Sequence, residues 1–324
     1  MSILVVGSVA YDSVKTPHGS RQGILGGSAS YFAMAASYLA PVSIIAAVGE
    51  DFRQEDQAML EAHNIDTSGL INAHGSTFRW VGEYGESLKE AHTIDTQLNV
   101  LADFKPELNA QERNVPFLFL GNIDPDLQYH VLQQMEKRPK LVASDTMNFW
   151  IQGKAEALAR VIGSVDTLMI NEGEVHLLAG ESNVVRAARY VLRQGPRMVV
   201  IKRGEYGAVG FTSDAVFAAP AYPLETVVDP TGAGDTFAGG FMGYLAASDD
   251  LTMEGFRRAM IMGSVMASFT VESFGLERLS SLTMSDIRER YSEFWTLTYF
   301  GGPGEGEPPM AIPGIQELSE RRSS

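Results

Sequence analysis

The chain alternates short apolar runs with longer amphipathic segments, and this rhythm restricts the folds that it can adopt. Six runs are almost wholly apolar, as expected for strands buried on both faces: residues 3–6, 43–49, 117–121, 140–145, 167–171 and 198–202. Seven other segments have helical periodicity: residues 28–40, 53–63, 126–137, 152–162, 183–194, 234–247 and 253–270. This alternation predicts an α/β fold in which helices flank a mostly parallel sheet.

Residues 70–100 interrupt this rhythm. Polar and apolar residues alternate there with glycines between them, which predicts small antiparallel strands rather than a crossover helix. Such a sheet could cover an active site as a lid, or it could be a hairpin without a function. Phe78, Trp80 and Tyr84 are spaced so that their side chains could face one way. They could then stack on a ligand, form a small core of the hairpin, or contact a second copy of the chain.

The composition excludes several classes of protein. The formal net charge of −15 disfavours binding to nucleic acid or to an anionic membrane, and zero cysteines rule out disulfides and thiolate metal sites. The N-terminus lacks the basic region of a signal peptide, and no apolar run approaches the roughly 20 residues of a membrane span. We therefore expect a cytoplasmic protein whose folded domain spans residues 1–300. Residues 301–324 are rich in Gly, Pro, Glu and Ser, which predicts a flexible tail.

The segment DPTGAGDTFAGGF, residues 229–241, suggests a chemical reaction. The small residues Gly232, Ala233 and Gly234 precede a predicted helix, so a phosphate could approach the free N–H groups of the first helical turn. Asp235 would then lie beside that phosphate, where its charge opposes binding. A carboxylate in this position makes sense as the base that takes a proton from an attacking hydroxyl. The alternative is structural, because aspartate also favours the start of a helix and glycine favours turns.

The longer segment resembles the C-terminal signature of the PfkB-type carbohydrate kinases, the ribokinase-like family. Further segments resemble motifs of that family in the same order: GSVAYD (7–12), GGSASYFAMAASYL (26–39), AAVGEDF (46–52), DTMN (145–148), NEGE (171–174) and KRGEYGAVG (202–210). The resemblance extends from residue 3 to about residue 280. It implies a three-layer α/β fold with a small β-sheet lid, formed by residues from about 10–24 and 70–100.

The resemblance also implies a role for individual residues. Asp235 would be the base, and the backbone of Gly232, Ala233 and Gly234 would stabilise the transferred phosphoryl group. The acceptor would be held by Asp12, Gly26, Gly27, Tyr31 and Asn148. ATP would be lined by Lys202, Gly204, Thr231, Gly232, Gly234 and Gly275. Mg²⁺ would be positioned by Asn171 and Glu174, and Asp229 could help to order a monovalent cation such as K⁺.

Several of these residues also have structural interpretations. Asn171 and Glu174 could begin a helix, Gly26 and Gly27 could form a tight turn, and Asp12 could cap a loop. The sequence also departs from the family, in which asparagine often stands at the place of Tyr31 and, in ribokinase itself, at the place of Ala10. Both departures disfavour free ribose as the acceptor, and the aromatic residues of the lid make a nucleoside an alternative.

We therefore predict an Mg²⁺- and ATP-dependent kinase that phosphorylates a hydroxymethyl group of a sugar or a nucleoside. The alternatives are an adenosine-like nucleoside kinase in particular and, from another class, a ligand sensor without catalysis on the same scaffold. A dinucleotide-dependent dehydrogenase and a P-loop kinase are disfavoured, because the chain lacks both G-x-G-x-x-G after its first strand and G-x-x-x-x-G-K-[ST]. The lid could also pair two chains into a homodimer.

Overall fold

A computed structural model describes residues 1–299 of the chain. The strands are β1 (Ile3–Val6), β2 (Ala10–Thr16), β3 (Gly19–Gly26), β4 (Val42–Val48), β5 (Ile65–Asn72), β6 (Phe78–Tyr84), β7 (Ala91–Gln97), β8 (Phe117–Leu120), β9 (Leu141–Asp145), β10 (Thr167–Asn171), β11 (Met198–Lys202), β12 (Ala208–Phe211) and β13 (Val216–Ala219). The helices are α1 (Ser28–Ser37), α2 (Gln54–Ala62), α3 (Pro125–Gln134), α4 (Asn148–Gly153), α5 (Ala155–Ile162), α6 (Glu172–Ala179), α7 (Val184–Leu192), α8 (Ala233–Ser248), α9 (Met253–Thr270), α10 (Glu277–Ser280) and α11 (Met284–Thr298). The predicted tail, residues 301–324, lies outside the described residues.

Nine strands form the large sheet, in the order β13-β12-β11-β10-β9-β8-β1-β4-β5. The strands from β11 to β5 in this order pair in parallel, and β12 and β13 add an antiparallel edge. All six strands predicted from apolar runs belong to the parallel part, which confirms the α/β fold class. Because the side chains of a strand alternate between faces, Ile3 and Val5 pack in one core cluster and Leu4 and Val6 in another.

Helix α8 lies in the centre of one helical layer, between α1 and α9. Its glycines make this position accessible: a Cβ atom at Gly239 would lie 2.3 Å from the carbonyl oxygen of Phe32, and one at Gly240 would lie 2.8 Å from that of Met262. The backbone of α8 therefore approaches both neighbouring helices closely, and ten of its residues are buried. This packing fixes the first turn of α8, which carries Asp235, relative to the sheet.

A second sheet contains four strands in the order β3-β2-β6-β7, and we call it the small sheet. Strands β2 and β6 pair in parallel, while the outer strands pair antiparallel to them. The antiparallel strands expected within residues 70–100 are therefore present as β6 and β7. The expectation was wrong for residues 70–72, which belong to β5 and pair in parallel with β4 in the large sheet. Among residues 1–299, no helix has both the length and the apolar character needed to cross a bilayer.

Candidate active site

Three neighbouring strands of the large sheet end in polar residues at the same edge. Strand β9 ends at Asp145, β10 at Asn171 and β11 at Lys202. The Nζ atom of Lys202 donates to Oδ2 of Asp145 at 2.7 Å, and the two side chains are only 16% and 7% exposed. Carboxyl ends of parallel strands are the usual place for a ligand in an open α/β sheet. This edge of the sheet is therefore the candidate active site.

The turn before α8 lies against this edge. Gly232 has a φ of 74°, a left-handed conformation that glycine adopts readily. A Cβ atom at Gly232 would lie 2.4 Å from the ring of Tyr31, and one at Gly234 would lie 2.9 Å from Nζ of Lys202. Side chains at these two positions would thus clash with Tyr31 and Lys202. The amide of Ala233 donates to the carbonyl oxygen of Pro230 at 3.2 Å, so one of the three predicted anion-binding amides is engaged within the turn itself.

Asp235 follows in the first turn of α8 and is half-buried. Burial and the charge of Asp145 raise the pKa of Asp235 to about 7, and the charge of Lys202 opposes this shift. Burial alone would lower the pKa of Lys202, but the charges of Asp145, Glu174 and Asp235 raise it. We call Asp145, Glu174 and Asp235 the acidic cluster. Its three carboxyl groups share a single lysine, so it attracts a further cation.

Asn171 and Glu174 form a capping box at the start of α6. Oδ1 of Asn171 accepts from the amide of Glu174 at 2.7 Å, and Oε2 of Glu174 accepts from the amide of Asn171 at 2.9 Å. Both residues therefore also have the helix-start role that the sequence left open. Burial and the charge of Asp145 raise the pKa of Glu174 to about 7. Among residues 1–299, no three His, Cys, Asp or Glu side chains are grouped so that they could hold a metal by themselves.

Asp12 lies in β2, in the small sheet, and its side chain is buried. A Cβ atom at Gly26 would lie 1.9 Å from Oδ2 of Asp12, so the carboxylate occupies the space that a side chain would need. Gly27 has a φ of 90°, and a Cβ atom there would lie 2.5 Å from the carbonyl oxygen of Ser8. Burial and the charge of Asp229 raise the pKa of Asp12 to about 7, and the charge of Asp235 adds to this shift. The acceptor-side residues are thus within electrostatic reach of the predicted base.

Two tyrosines connect the two sides of the site. Tyr31 is fully buried with its ring against Gly232, and its hydroxyl group has no hydrogen-bond partner among the described residues. The hydroxyl group of Tyr84, at the end of β6, lies 3.3 Å from Oγ1 of Thr231. Tyr84 therefore joins the small sheet to the turn that precedes α8. The predicted lid strand and the predicted phosphate-binding turn are in direct contact.

The remaining predicted residues are Thr231, Gly275, Asp229, Gly204 and Asn148. Thr231 donates its amide to Oδ1 of Asp229 at 2.9 Å, and Gly275 donates to Oδ2 at 3.5 Å, so the buried Asp229 holds two loops together. Gly204 begins an exposed turn just beyond Lys202, with a φ of 54°. Asn148 is exposed at the start of α4.

Asp145, rather than Asn148, joins the DTMN segment to the acidic cluster. The sequence interpretation missed Asp145 as a candidate site residue, although its position at the end of a buried strand, like that of Asn171 and Lys202, could have identified it.

Comparisons with known proteins bear on this arrangement. The chain matches the pfkB family of carbohydrate kinases over residues 2–282. It is 30% identical over 250 residues to a cytidine kinase of Thermococcus kodakarensis, a match that covers 75% of this chain and 87% of that protein.

Solved structures of other kinases share the fold, and two of them illustrate the similarity. The nucleoside kinase of Burkholderia thailandensis in complex with inosine superposes with a TM-score of 0.74 at 18% identity, covering 91% of this chain and 98% of that one. A candidate ribokinase II of E. coli in complex with ATP and Mg²⁺ has a TM-score of 0.75 at 19% identity, with 90% and 99% covered. The family match spans most of the chain and agrees with the motifs, so this protein belongs to the pfkB family of carbohydrate kinases, as its sequence predicted.

Proposed function

We propose that this protein transfers the γ-phosphoryl group of ATP to a hydroxymethyl oxygen of a sugar or a nucleoside, with Asp235 as the base. The observation that carries this proposal is the position of Asp235. Its carboxyl group lies in the first turn of α8, directly after a glycine turn without room for side chains and within the influence of Lys202 and Asp145. Family membership makes the protein a sugar or nucleoside kinase, and this geometry supports the roles of the individual residues.

In the proposed reaction, the acceptor hydroxyl oxygen forms a bond to the γ-phosphorus while the bond to the β,γ-bridging oxygen breaks and ADP leaves. Asp235 takes the hydroxyl proton. The amides of Gly232 and Gly234 donate hydrogen bonds that stabilise the charge on the transferred phosphoryl oxygens. The amide of Ala233 is not used, because it already bonds within the turn. Asp12 accepts hydrogen bonds from the hydroxyl groups of the acceptor, beside Gly26 and Gly27.

Lys202, Thr231, Gly204 and Gly275 border the nucleotide side in this proposal. Glu174 would hold Mg²⁺ through water molecules, together with the phosphates of ATP, because Mg²⁺ retains waters and needs few protein ligands. The acidic cluster suits Mg²⁺ because it supplies hard oxygen atoms and an excess of negative charge. When bound, the ion would neutralise charge on the β- and γ-phosphates. Asn171 contributes by fixing Glu174 through the capping box.

Replacement of the base is the direct test. We expect Asp235→Asn to lower kcat by at least about a hundredfold, because a general base contributes roughly 10²–10⁴ in rate. The dissociation constant of ATP should stay within a few fold of wild type, since the side chain retains its size. ADP release and equilibrium binding of ATP measure the two quantities. A variant with wild-type turnover would remove Asp235 from the mechanism.

A screen of acceptors separates this proposal from the sensor alternative. ADP release is measured with free sugars, sugar phosphates, polyols and nucleosides. A protein that binds ATP and an acceptor but releases ADP with none of them would favour a sensor without catalysis. Four expectations stay predictions from the sequence. They are a homodimer through the small sheet, a K⁺ ion near Asp229, a part for Asn148 in the acceptor site and a cytoplasmic location.

A further inference from the structure

Trp80 occupies the face of the small sheet that is turned toward the active site. In the parallel pairing of β2 and β6, Trp80 is the register partner of Asp12, so the two side chains project from the same face. Tyr84 lies four residues further along β6 on that face, and it contacts Thr231 at the turn before α8. Trp80 is therefore placed between the acceptor-binding carboxylate and the tyrosine that reaches the glycine turn.

The indole of Trp80 lies against strand β6, over Gly82, instead of projecting away from the sheet. A Cβ atom at Gly82 would lie 2.1 Å from Cη2 and 2.3 Å from Cζ2 of Trp80, so the six-membered ring covers the backbone of Gly82. Nε1 of the same indole donates to Oγ1 of Thr93 in β7 at 3.2 Å. The glycine and the threonine thus hold the indole against the sheet, and the side chain is half-buried.

A flat aromatic surface beside a sugar-binding carboxylate matches the chemistry of a nucleoside. Asp12 is suited to ribose hydroxyl groups, while an indole is suited to the face of a heteroaromatic base. We propose that Trp80 stacks on the base of the acceptor and makes this enzyme a nucleoside kinase rather than a kinase of free sugars. This inference rests on the proposed function, because it assigns the acceptor of the same site.

Two other interpretations of Trp80 fit the geometry less well. A contact with a second copy of the chain would need the ring to be clear of the active site, whereas Trp80 shares with Asp12 the face that is turned toward it. A packing role within the small sheet would bury the ring between other apolar side chains. Instead, the ring lies against the backbone of Gly82, its Nε1 donates to the exposed Thr93, and the side chain stays half-exposed.

Direct binding tests the proposal. Cytidine, inosine and D-ribose are titrated against the full chain while the fluorescence of its three tryptophans, Trp80, Trp150 and Trp295, is followed. We expect at least one nucleoside to quench the wild type and the Trp150→Phe control, and not to quench Trp80→Phe. For that nucleoside, Trp80→Leu should raise the dissociation constant and KM about ten- to a hundredfold, because stacking on one base contributes a factor of this size. Trp80→Phe keeps a ring and should recover part of that loss.

Gly82→Ala keeps the tryptophan but takes away the space that its ring occupies. It should also raise KM for the nucleoside at least about tenfold, since the new methyl group would displace the indole. Val81→Ala, a change on the opposite face of β6, is the matched control and should leave KM within about twofold of wild type. Circular dichroism and Tm verify that each variant is folded.

The outcomes separate the two proposals. Folded Trp80→Leu and Gly82→Ala variants with wild-type nucleoside KM values would overturn the stacking role. A wild-type enzyme that phosphorylates free sugars but binds neither nucleoside would overturn it as well. In both cases a catalytic loss in Asp235→Asn would leave the phosphotransferase proposal intact.

Discussion

Asp235 and Asp12 are carboxyl groups whose surroundings oppose their ionisation. Burial raises the pKa of each to about 7, well above the usual 3.8 of aspartate. The proposed base must be free of its proton, so protonation of Asp235 would remove the group that accepts the hydroxyl proton. We expect kcat/KM to fall as the pH is lowered through about 7, with the acid limb of the profile reporting the protonation of Asp235. A profile that is flat from pH 8 to pH 5.5 would contradict this role.

Gly26 offers a second test at the scale of one residue. Gly26→Ala places a methyl group where Oδ2 of Asp12 lies, so the carboxylate must move. We expect KM for the acceptor to rise by at least about tenfold, the cost of one lost charged hydrogen bond, while KM for ATP changes little. Gly85→Ala is the matched control, because a Cβ atom there meets nothing within 4 Å. Equal effects of both substitutions on the acceptor would argue against this contact.

Individual site residues differ in how well the sequence predicts them. Asp235 stands out because a carboxylate beside a phosphate-binding turn needs a chemical reason. Asp145 is harder to single out among 40 acidic residues: the sequence shows that it ends an apolar run, but only the alignment of β9, β10 and β11 brings it to Lys202. Asn171 has two compatible roles, and the sequence could not show that its side-chain oxygen caps α6.

The glycines of α8 give a prediction at the scale of the element. Alanine is about 1 kcal/mol better than glycine in a helix, yet a Cβ atom at Gly239 would lie 2.3 Å from the backbone of Phe32 in α1. We expect Gly239→Ala to lower Tm by several degrees, because overpacking costs about 1–3 kcal/mol and neither backbone can move freely. Gly153→Ala in α4, where nothing lies within 4 Å, should not lower Tm. An unchanged Tm in Gly239→Ala would show that α1 and α8 can separate at no cost.

The elements that the sequence predicted poorly have weak or ambiguous patterns. Strand β5 alternates between buried and exposed residues at its start, as an antiparallel strand would, and a period of two cannot tell which sheet a strand joins. Strands β12 and β13 have four residues each, too few for a periodic signal. The six apolar strands were predicted correctly because burial on two faces leaves an apolar run even in a four-residue strand such as β1 or β8. The helices with a clear stripe were predicted because burial on one face leaves a pattern as well.

At the scale of the molecule, the site opposes the stability of the fold. Asp12, Glu174 and Asp235 have pKa values of about 7 in the folded protein, above the ordinary values of 3.8 and 4.5. The folded state therefore binds more protons than the unfolded state between about pH 4 and pH 7, and its free energy of unfolding falls as the pH rises through that range.

Asp12→Asn tests this relation. The amide has the same shape but no charge, so we expect the variant to have a higher Tm than wild type at pH 8, by about 2 °C or more. The difference should shrink toward pH 5, where Asp12 is protonated in the folded protein. Calorimetry at both pH values measures it, and Asp214→Asn on the exposed surface is the control. A variant that is less stable than wild type at pH 8 would contradict a net cost of the buried Asp12 charge.

In the proposed mechanism, recognition of the acceptor and phosphoryl transfer are built on different sheets. Asp12 and Trp80 come from the small sheet, whereas Asp235, Lys202 and Asp145 come from α8 and the ends of two central strands. Apart from Tyr84, which contacts the turn before α8, residues 78–97 can therefore change during evolution and alter the choice of substrate while the close helix packing around α8 is kept. A lineage could exchange one metabolite for another by altering this peripheral module alone.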